Sequence, residues 1–446
     1  MPTPQKLSSS RCQALSGDIN PPGDKSISHR SIMLGGLAEG TTTVRGLLEG
    51  EDVQSTIAVL RAMGATIQKD RAGVWQVTGV GAAGLRAPQD ILNVGNSGTS
   101  ARLLIGLVAG QPFSARFDGD ASLRKRPMKR IIEPLSLMGA RFESTDGKLP
   151  LTVTGAAHPA AITYTLPVAS AQVKSAILLA GLSADGVTTV IESTPTRNHS
   201  ENMLRGFGAK IVVEKRSDGT EEVSITGKPK LKAQDIRVPA DPSSAAFPLV
   251  AALLCPESCV TLRYVGINPR RAGLIEVLRS MGAKINIENQ RVEGGESVAD
   301  LTVFGSDLSG VDVPAEHVPS MIDEYPILAV AAACAKGTTR MRGLGELRVK
   351  ESDRLSLMAR GLSQCGVKVE VAGDDLIVFG TGAPPLGGTC IDTSMDHRIA
   401  MSFLVLGTRT KESVSIDDGS FIATSFPDFV SMMNKSGTNI ALLPSS

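Results

Sequence analysis

Two helical patterns alternate along the chain. The first is apolar on nearly every face and starts with a polar cluster: KSISHRSIMLGGLAEG (25–40), NSGTSARLLIGLVAG (96–110), AQVKSAILLAGLSADG (171–186), PSSAAFPLVAALLCPE (242–257), IDEYPILAVAAACAKG (322–337) and HRIAMSFLVLGTRTKE (397–412). Apolarity all round predicts burial in a core. The second is amphipathic, as in SDRLSLMARGLSQCG (352–366), and ends on a tag of the form L-x-x-x-G-x-x-[IV]. Copies are LRAMGATI, LSLMGARF, LRGFGAKI, LRSMGAKI, LSQCGVKV and, most weakly, MNKSGTNI. Their glycines, at 64, 139, 208, 282, 366 and 437, are placed to close a helix in left-handed backbone.

Stretches such as GTTTVRGL (40–47) and GTTRMRGL (337–344) have the β-branched spacing of strands. One unit, strand, buried helix, strands, amphipathic helix, strand, therefore recurs six times and fills the chain. At 446 residues this is too long for one core. The pattern predicts an α/β fold, a two-domain inside-out α/β barrel with three repeated strand-helix units per domain around buried parallel helices. DIRVPADPSS before the fourth unit echoes GDINPPGDKS before the first, which places the domain limits near Pro21 and Asp241, with 21–240 as the N-terminal domain and 241–446 in the C-terminal one.

Charge narrows the function classes. Forty-six basic residues against 45 acidic leave a net +1, so no nucleic-acid surface is expected and any anion site must be local. No segment is apolar for long enough to span a membrane and the N-terminus has no apolar signal core, so a cytoplasmic protein is expected. The six cysteines are scattered, without metal spacing, and read as buried reduced thiols.

The polar clusters sit where the buried helices start, and free backbone N–H groups there attract anions. GDKSISHR puts Ser26 and Arg30 on one helical face with Lys25 at its edge, which suits a phosphate or carboxylate clamp. GNSGTSAR offers Gly98, hydroxyls and Arg102; SLRKRPMKR holds Arg126 beside Pro127; ASAQVKS presents Ser170, Gln172 and Lys174. DHRIAM adds His397 and Arg398. By base rate Asp323 in SMIDEYP fits a helix cap, and Glu351 in RVKESDRL fits a surface ladder with Lys350 and Arg354. Among so many cations, however, two carboxylates are what acid–base chemistry needs.

These motifs, in this order from residue 22 to about 430, resemble the 5-enolpyruvylshikimate-3-phosphate synthase family. The resemblance implies two domains of three repeats that close on substrate, with residues 1–20 joining the C-terminal domain. It also implies transfer of the enolpyruvyl group of phosphoenolpyruvate to the 5-hydroxyl of shikimate 3-phosphate, releasing phosphate without a cofactor, in chorismate and aromatic amino acid biosynthesis. By motif, Lys25, Ser26, Arg30, Ser170, Gln172, Asp323 and Lys350 would hold shikimate 3-phosphate; Lys25, Gly98, Arg126, Gln172, Arg354 and Arg398 would hold phosphoenolpyruvate. Asp323 would take the hydroxyl proton and Glu351 would protonate C3, with Lys25 at both ligands. A monomer acting on these two small molecules is expected.

The chain departs from many members in having Ser425 before Phe426-Pro427-Asp428, where some have lysine, and Leu103 where many have proline. It has Gly98 where some divergent members have alanine, so glyphosate is expected to compete with phosphoenolpyruvate. The related UDP-N-acetylglucosamine enolpyruvyl transferases lack the KSISHR clamp and typically use a loop cysteine, absent from SLRKRPM here. A non-catalytic sensor of a phosphorylated metabolite would need the cations but not the carboxylate pair. The RNA-cyclase relatives of the fold would need a basic surface.

Overall fold

The computed structural model describes residues 4–444. Among them are six four-stranded sheets of one design. Strands Leu92–Asn93, Ser114–Asp118, Leu151–Thr154 and Arg141–Ser144 lie side by side in that order, the first pair parallel and the others antiparallel. The parallel pair flanks a buried helix because parallel neighbours need a long crossover, and the last two strands form a hairpin after the tag glycine.

Three departures from this plan trace the chain path. Strand Ser16–Ile19, before the first buried helix, pairs with Cys259–Gly266. Strand Asp235–Arg237, before the fourth, pairs with Thr41–Arg45. In the last sheet Leu7–Ser10 fills the place that a post-tag strand takes elsewhere, lying antiparallel to Val414–Ile416 and Asn439–Leu442. The chain forms two compact units. One holds the described residues of Met1–Pro22, Pro239–Val292 and Ser297–Ser446; the other holds Gly23–Val238 and Glu293–Glu296.

Each unit has its own hydrophobic core built on three helices: Lys25–Leu37, Gly98–Ala109 and Ala171–Gly181 in one, Pro242–Leu254, Tyr325–Cys334 and His397–Gly407 in the other. Every residue of the last helix is buried, as apolarity on all faces requires. Packing is close: a Cβ on Gly106 would come within 2.5 Å of the Ala176 carbonyl oxygen. The six amphipathic helices end one or two residues before the tag glycines, whose φ values run from 80° to 120°. A left-handed cap thus closes every one of them, including the weakest copy.

The cysteine expectation needs correction. All six are free, but Cys259 and Cys390 are exposed. Each occupies an outward position at a strand start, next to the inward-facing Val260 and Ile391, so the alternation of the strand overrides the apolar preference of the thiol.

Candidate active site

In the unit of Gly23–Val238, polar side chains gather at the helix starts. Asp24 caps the first helix by accepting from the Ile27 amide, which leaves Lys25 as its first residue. Lys25 Nζ lies 2.8 Å from Asp52 Oδ2. Arg30 is buried and donates to Ser200 Oγ at 2.8 Å, Ser175 Oγ at 2.9 Å and the Ser26 carbonyl at 3.0 Å. Burial pulls its pKa down to about 10, against the opposing pull of Glu201, Asp24 and Glu296. Three of its five N–H donors are thereby engaged, fixing the plane of the guanidinium.

Ser97 caps the second helix, so Gly98 is its first residue. A Cβ on Gly98 would sit 2.8 Å from one Arg102 nitrogen and 3.3 Å from one of Arg126. Arg126 donates to Asn96 Oδ1 at 2.6 Å, and Arg102 to Gln172 Oε1 at 2.7 Å, while Gln172 Nε2 donates to Thr99 at 3.1 Å. Ser170 caps the third helix through the Val173 amide. Gly98, Arg126, Arg102 and Gln172 are thus held together by side chains from three segments.

Two buried networks support these residues. His29 Nδ1 lies 2.8 Å from Thr56 Oγ1, which lies 2.8 Å from Ser100 Oγ, which donates to Ser97 Oγ at 2.8 Å. Burial, then the charges of Lys25 and Arg30, hold the His29 imidazole well below its ordinary pKa, so it is neutral. Lys174, fully buried, sits 2.7 Å from both Glu192 and Glu201.

The other unit gathers its carboxylates around one cation. Arg354, with 1% of its side chain exposed, reaches Asp396 at 2.8 Å, Glu351 at 2.5 Å and Asp323 at 3.3 Å. Burial opposes its charge, but these three carboxylates outweigh burial and raise its pKa above the ordinary value. Asp396, also buried, titrates below the usual range because Arg354 and His397 overcome its desolvation. Its Oδ1 also caps the last buried helix at the Arg398 amide. Lys350 Nζ lies 3.4 Å from Asp323 Oδ1, and Arg398 NH1 donates to the Asp323 carbonyl at 3.2 Å.

The capping reading of Asp323 does not hold. Asp323 lies in a 3-10 turn, Ile322–Glu324, and its carboxylate faces Lys350 and Arg354 rather than a helix amide. Glu351 is not on a surface ladder, for its partner Arg354 is buried. Ser170 does have the capping role that its position allows. Sequence reasoning missed Asp52, which looks like any acidic residue in a helix's first turn, and did not single out Asn96 or Asp396, which lay inside motifs already noted.

The family model described as EPSP synthase (3-phosphoshikimate 1-carboxyvinyltransferase) matches residues 10–433. A 3-phosphoshikimate 1-carboxyvinyltransferase of Rhodospirillum rubrum is 58% identical over 445 residues, covering 99% of each chain. One from Paramagnetospirillum magneticum is 59% identical over 436 residues, 98% of each. The solved EPSP synthase of Acinetobacter baumannii has 46% identity and a TM-score of 0.88, over 99% of this chain and 100% of that one. That likeness extends to the whole mixed α/β fold.

Proposed function

The chain belongs to the EPSP synthase family, the 3-phosphoshikimate 1-carboxyvinyltransferases, and from that membership we propose how its side chains carry the reaction. It is a transferase that moves the enolpyruvyl group of phosphoenolpyruvate onto the 5-hydroxyl of shikimate 3-phosphate and releases phosphate. Lys25, Ser26, Arg30, Ser170, Gln172, Asp323 and Lys350 hold shikimate 3-phosphate. Lys25, Gly98, Arg126, Gln172, Arg354 and Arg398 hold phosphoenolpyruvate. The finer architecture, an inside-out barrel of three repeats in each of two domains (21–240; 1–20 with 241–446), belongs to the same reading, as do a monomeric state and a cytoplasmic location.

In the first step Asp323 accepts the 5-hydroxyl proton as that oxygen attacks C2 of phosphoenolpyruvate, while C3 takes a proton from Glu351. The tetrahedral adduct then loses phosphate, which carries off the proton that Asp323 held, as C3 returns its proton to Glu351, leaving the enol ether. Cations facing the phosphate stabilise it as it departs. The observation that supports this reading best is the pair Asp323 and Glu351 on one buried guanidinium, Arg354, at 3.3 and 2.5 Å. Arg354 thereby fixes the positions of both carboxylates relative to each other.

The test is inorganic phosphate release from purified protein. Release that requires both shikimate 3-phosphate and phosphoenolpyruvate supports the reading. Release with UDP-N-acetylglucosamine as acceptor instead, or shikimate 3-phosphate binding without release, would overturn it in favour of the related transferase or of a sensor. Glyphosate is proposed to compete with phosphoenolpyruvate, because Gly98 adds no methyl beside Arg102 and Arg126. Turnover indifferent to millimolar glyphosate would contradict that part alone.

A further inference from the structure

Five of the six core helices start the same way. Asp24, Ser97, Ser170, Asp241 and Asp396 each stand at the cap and accept a hydrogen bond from an amide of their own helix. The helix Tyr325–Cys334 is the exception: Glu324 stands at its cap and bonds none of its amides. An acceptor withheld from the helix start gives up about 1 kcal/mol of ordinary capping, so the carboxylate is engaged elsewhere.

Its surroundings show where. Glu324 is 1% exposed, and its Oε1 accepts a hydrogen bond from Ser243 Oγ in the first turn of Pro242–Leu254. The same oxygen lies 3.8 Å from Arg398 NH1, in the first turn of His397–Gly407, and 3.9 Å from Arg271 NH2. Arg271 is itself buried and donates to Ser243 Oγ at 2.7 Å and Asp241 Oδ1 at 3.3 Å. One carboxylate thus ties together the starts of all three core helices of its unit. Glu324 Oε2 makes no hydrogen bond among the described residues. A buried anion left half satisfied is costly unless nearby cations compensate it.

We propose that Glu324 is a positioning residue for phosphoenolpyruvate binding, holding the Arg398 guanidinium in place. Arg398 NH1 is fixed from one side by the Asp323 carbonyl at 3.2 Å and faces the Glu324 carboxylate on another. Both contacts engage NH1, and the Nε–NH2 edge is the one that a carboxylate or phosphate takes in bidentate fashion. The Glu324 charge also offsets the desolvation of the mostly buried Arg398. The proposal rests on the reading of Arg398 as a phosphoenolpyruvate ligand.

The test compares Glu324→Gln, Glu324→Asp, Ser243→Ala and Arg398→Lys by steady-state phosphate release, with KM measured for each substrate in turn. Glu324→Gln keeps the shape and removes the charge; it is expected to raise KM for phosphoenolpyruvate about tenfold, while KM for shikimate 3-phosphate and kcat move less than threefold. Glu324→Asp should recover part of the loss. Ser243→Ala, which leaves the carboxylate but removes its hydroxyl partner, should give a smaller rise of the same selectivity and carries the test if the Gln variant does not fold. Equal rises in both KM values, or a fall in kcat alone, would overturn the proposal while Arg398→Lys still raised KM for phosphoenolpyruvate. If Arg398→Lys leaves that KM unchanged, the ligand assignment beneath the proposal is wrong and both fall.

Discussion

The guanidiniums near the helix starts make different hydrogen bonds and ion pairs in the two units. In the unit of Gly23–Val238, the guanidiniums of Arg30, Arg102 and Arg126 donate to neutral oxygens: serine hydroxyls, main-chain carbonyls, and the side-chain amides of Gln172 and Asn96. In the other unit, Arg354 and Arg271 face carboxylates, three around Arg354 alone. Arg354 orients the carboxylates that clasp it and holds Asp396 ionised. The cations proposed to bind substrate are drawn from both units, whereas the carboxylates proposed to move protons, Asp323 and Glu351, belong to one and share Arg354.

The most severe loss is expected at Arg354. Replacing it with methionine leaves Asp396, Glu351 and Asp323 without their shared partner, and Asp396 is fully buried. Arg354→Met is expected to cost about 3–5 kcal/mol of folding stability, measured by denaturant unfolding, and to abolish turnover. Next in size is Lys25→Met, in the unit of Gly23–Val238. Lys25 is partly exposed and pairs with Asp52, so turnover is expected to fall about 10²-fold or more, with a smaller change in Tm than Arg354→Met gives. Loss of stability as large as that of Arg354→Met would erase the distinction.

Gly98→Ala sharpens the picture of the neutral side. The added methyl meets the flexible ends of Arg102 and Arg126 rather than backbone, so the fold should survive. KM for phosphoenolpyruvate is expected to rise about tenfold as the two guanidiniums are displaced, with glyphosate inhibition weakened at least as much. An unchanged KM would separate Gly98 from that ligand.

The smallest expected effect is a pH dependence. His29 is buried and neutral, its folded pKa held below the unfolded value near 6.5 by burial and by Lys25 and Arg30. Its contribution to stability is complete above pH 6.5. As pH falls below that value the unfolded chain takes up a proton that the folded chain refuses, so stability declines by at most about 1.4 kcal/mol per pH unit until the folded pKa is reached. His29→Gln should remove that one-proton slope from stability measured between pH 7 and 5. An identical slope in the variant would assign it to other groups.

Much of this was legible in the sequence because it rests on repetition. All-round apolar segments and tag glycines recur, and each glycine is in the left-handed region that the tag demanded. The site motifs were legible for a related reason, since anion chemistry concentrates at helix starts. Asp52 escaped because acidic residues are common in a first helical turn, where they suit the macrodipole. Glu324 escaped because the distinction between a cap and a bridge lies in where the carboxylate points. Asp323 misled for the converse reason: its sequence position fits a cap, but a 3-10 turn sets the helix start one residue later and turns the side chain to Lys350 and Arg354. The exchanged strands Ser16–Ile19 and Asp235–Arg237 involve pairings more than 190 residues apart, beyond what local pattern can specify.

In the proposed mechanism Asp323 takes the hydroxyl proton, and Asp323→Asn tests that role most directly. The substitution keeps the side chain's shape and removes its capacity to accept the hydroxyl proton. Phosphate release at saturating shikimate 3-phosphate and phosphoenolpyruvate should fall about 10²–10⁴-fold. Calorimetry should show shikimate 3-phosphate still bound within about tenfold of the parent affinity. Undiminished release at saturation in Asp323→Asn would contradict the account, since the proton would then have another acceptor.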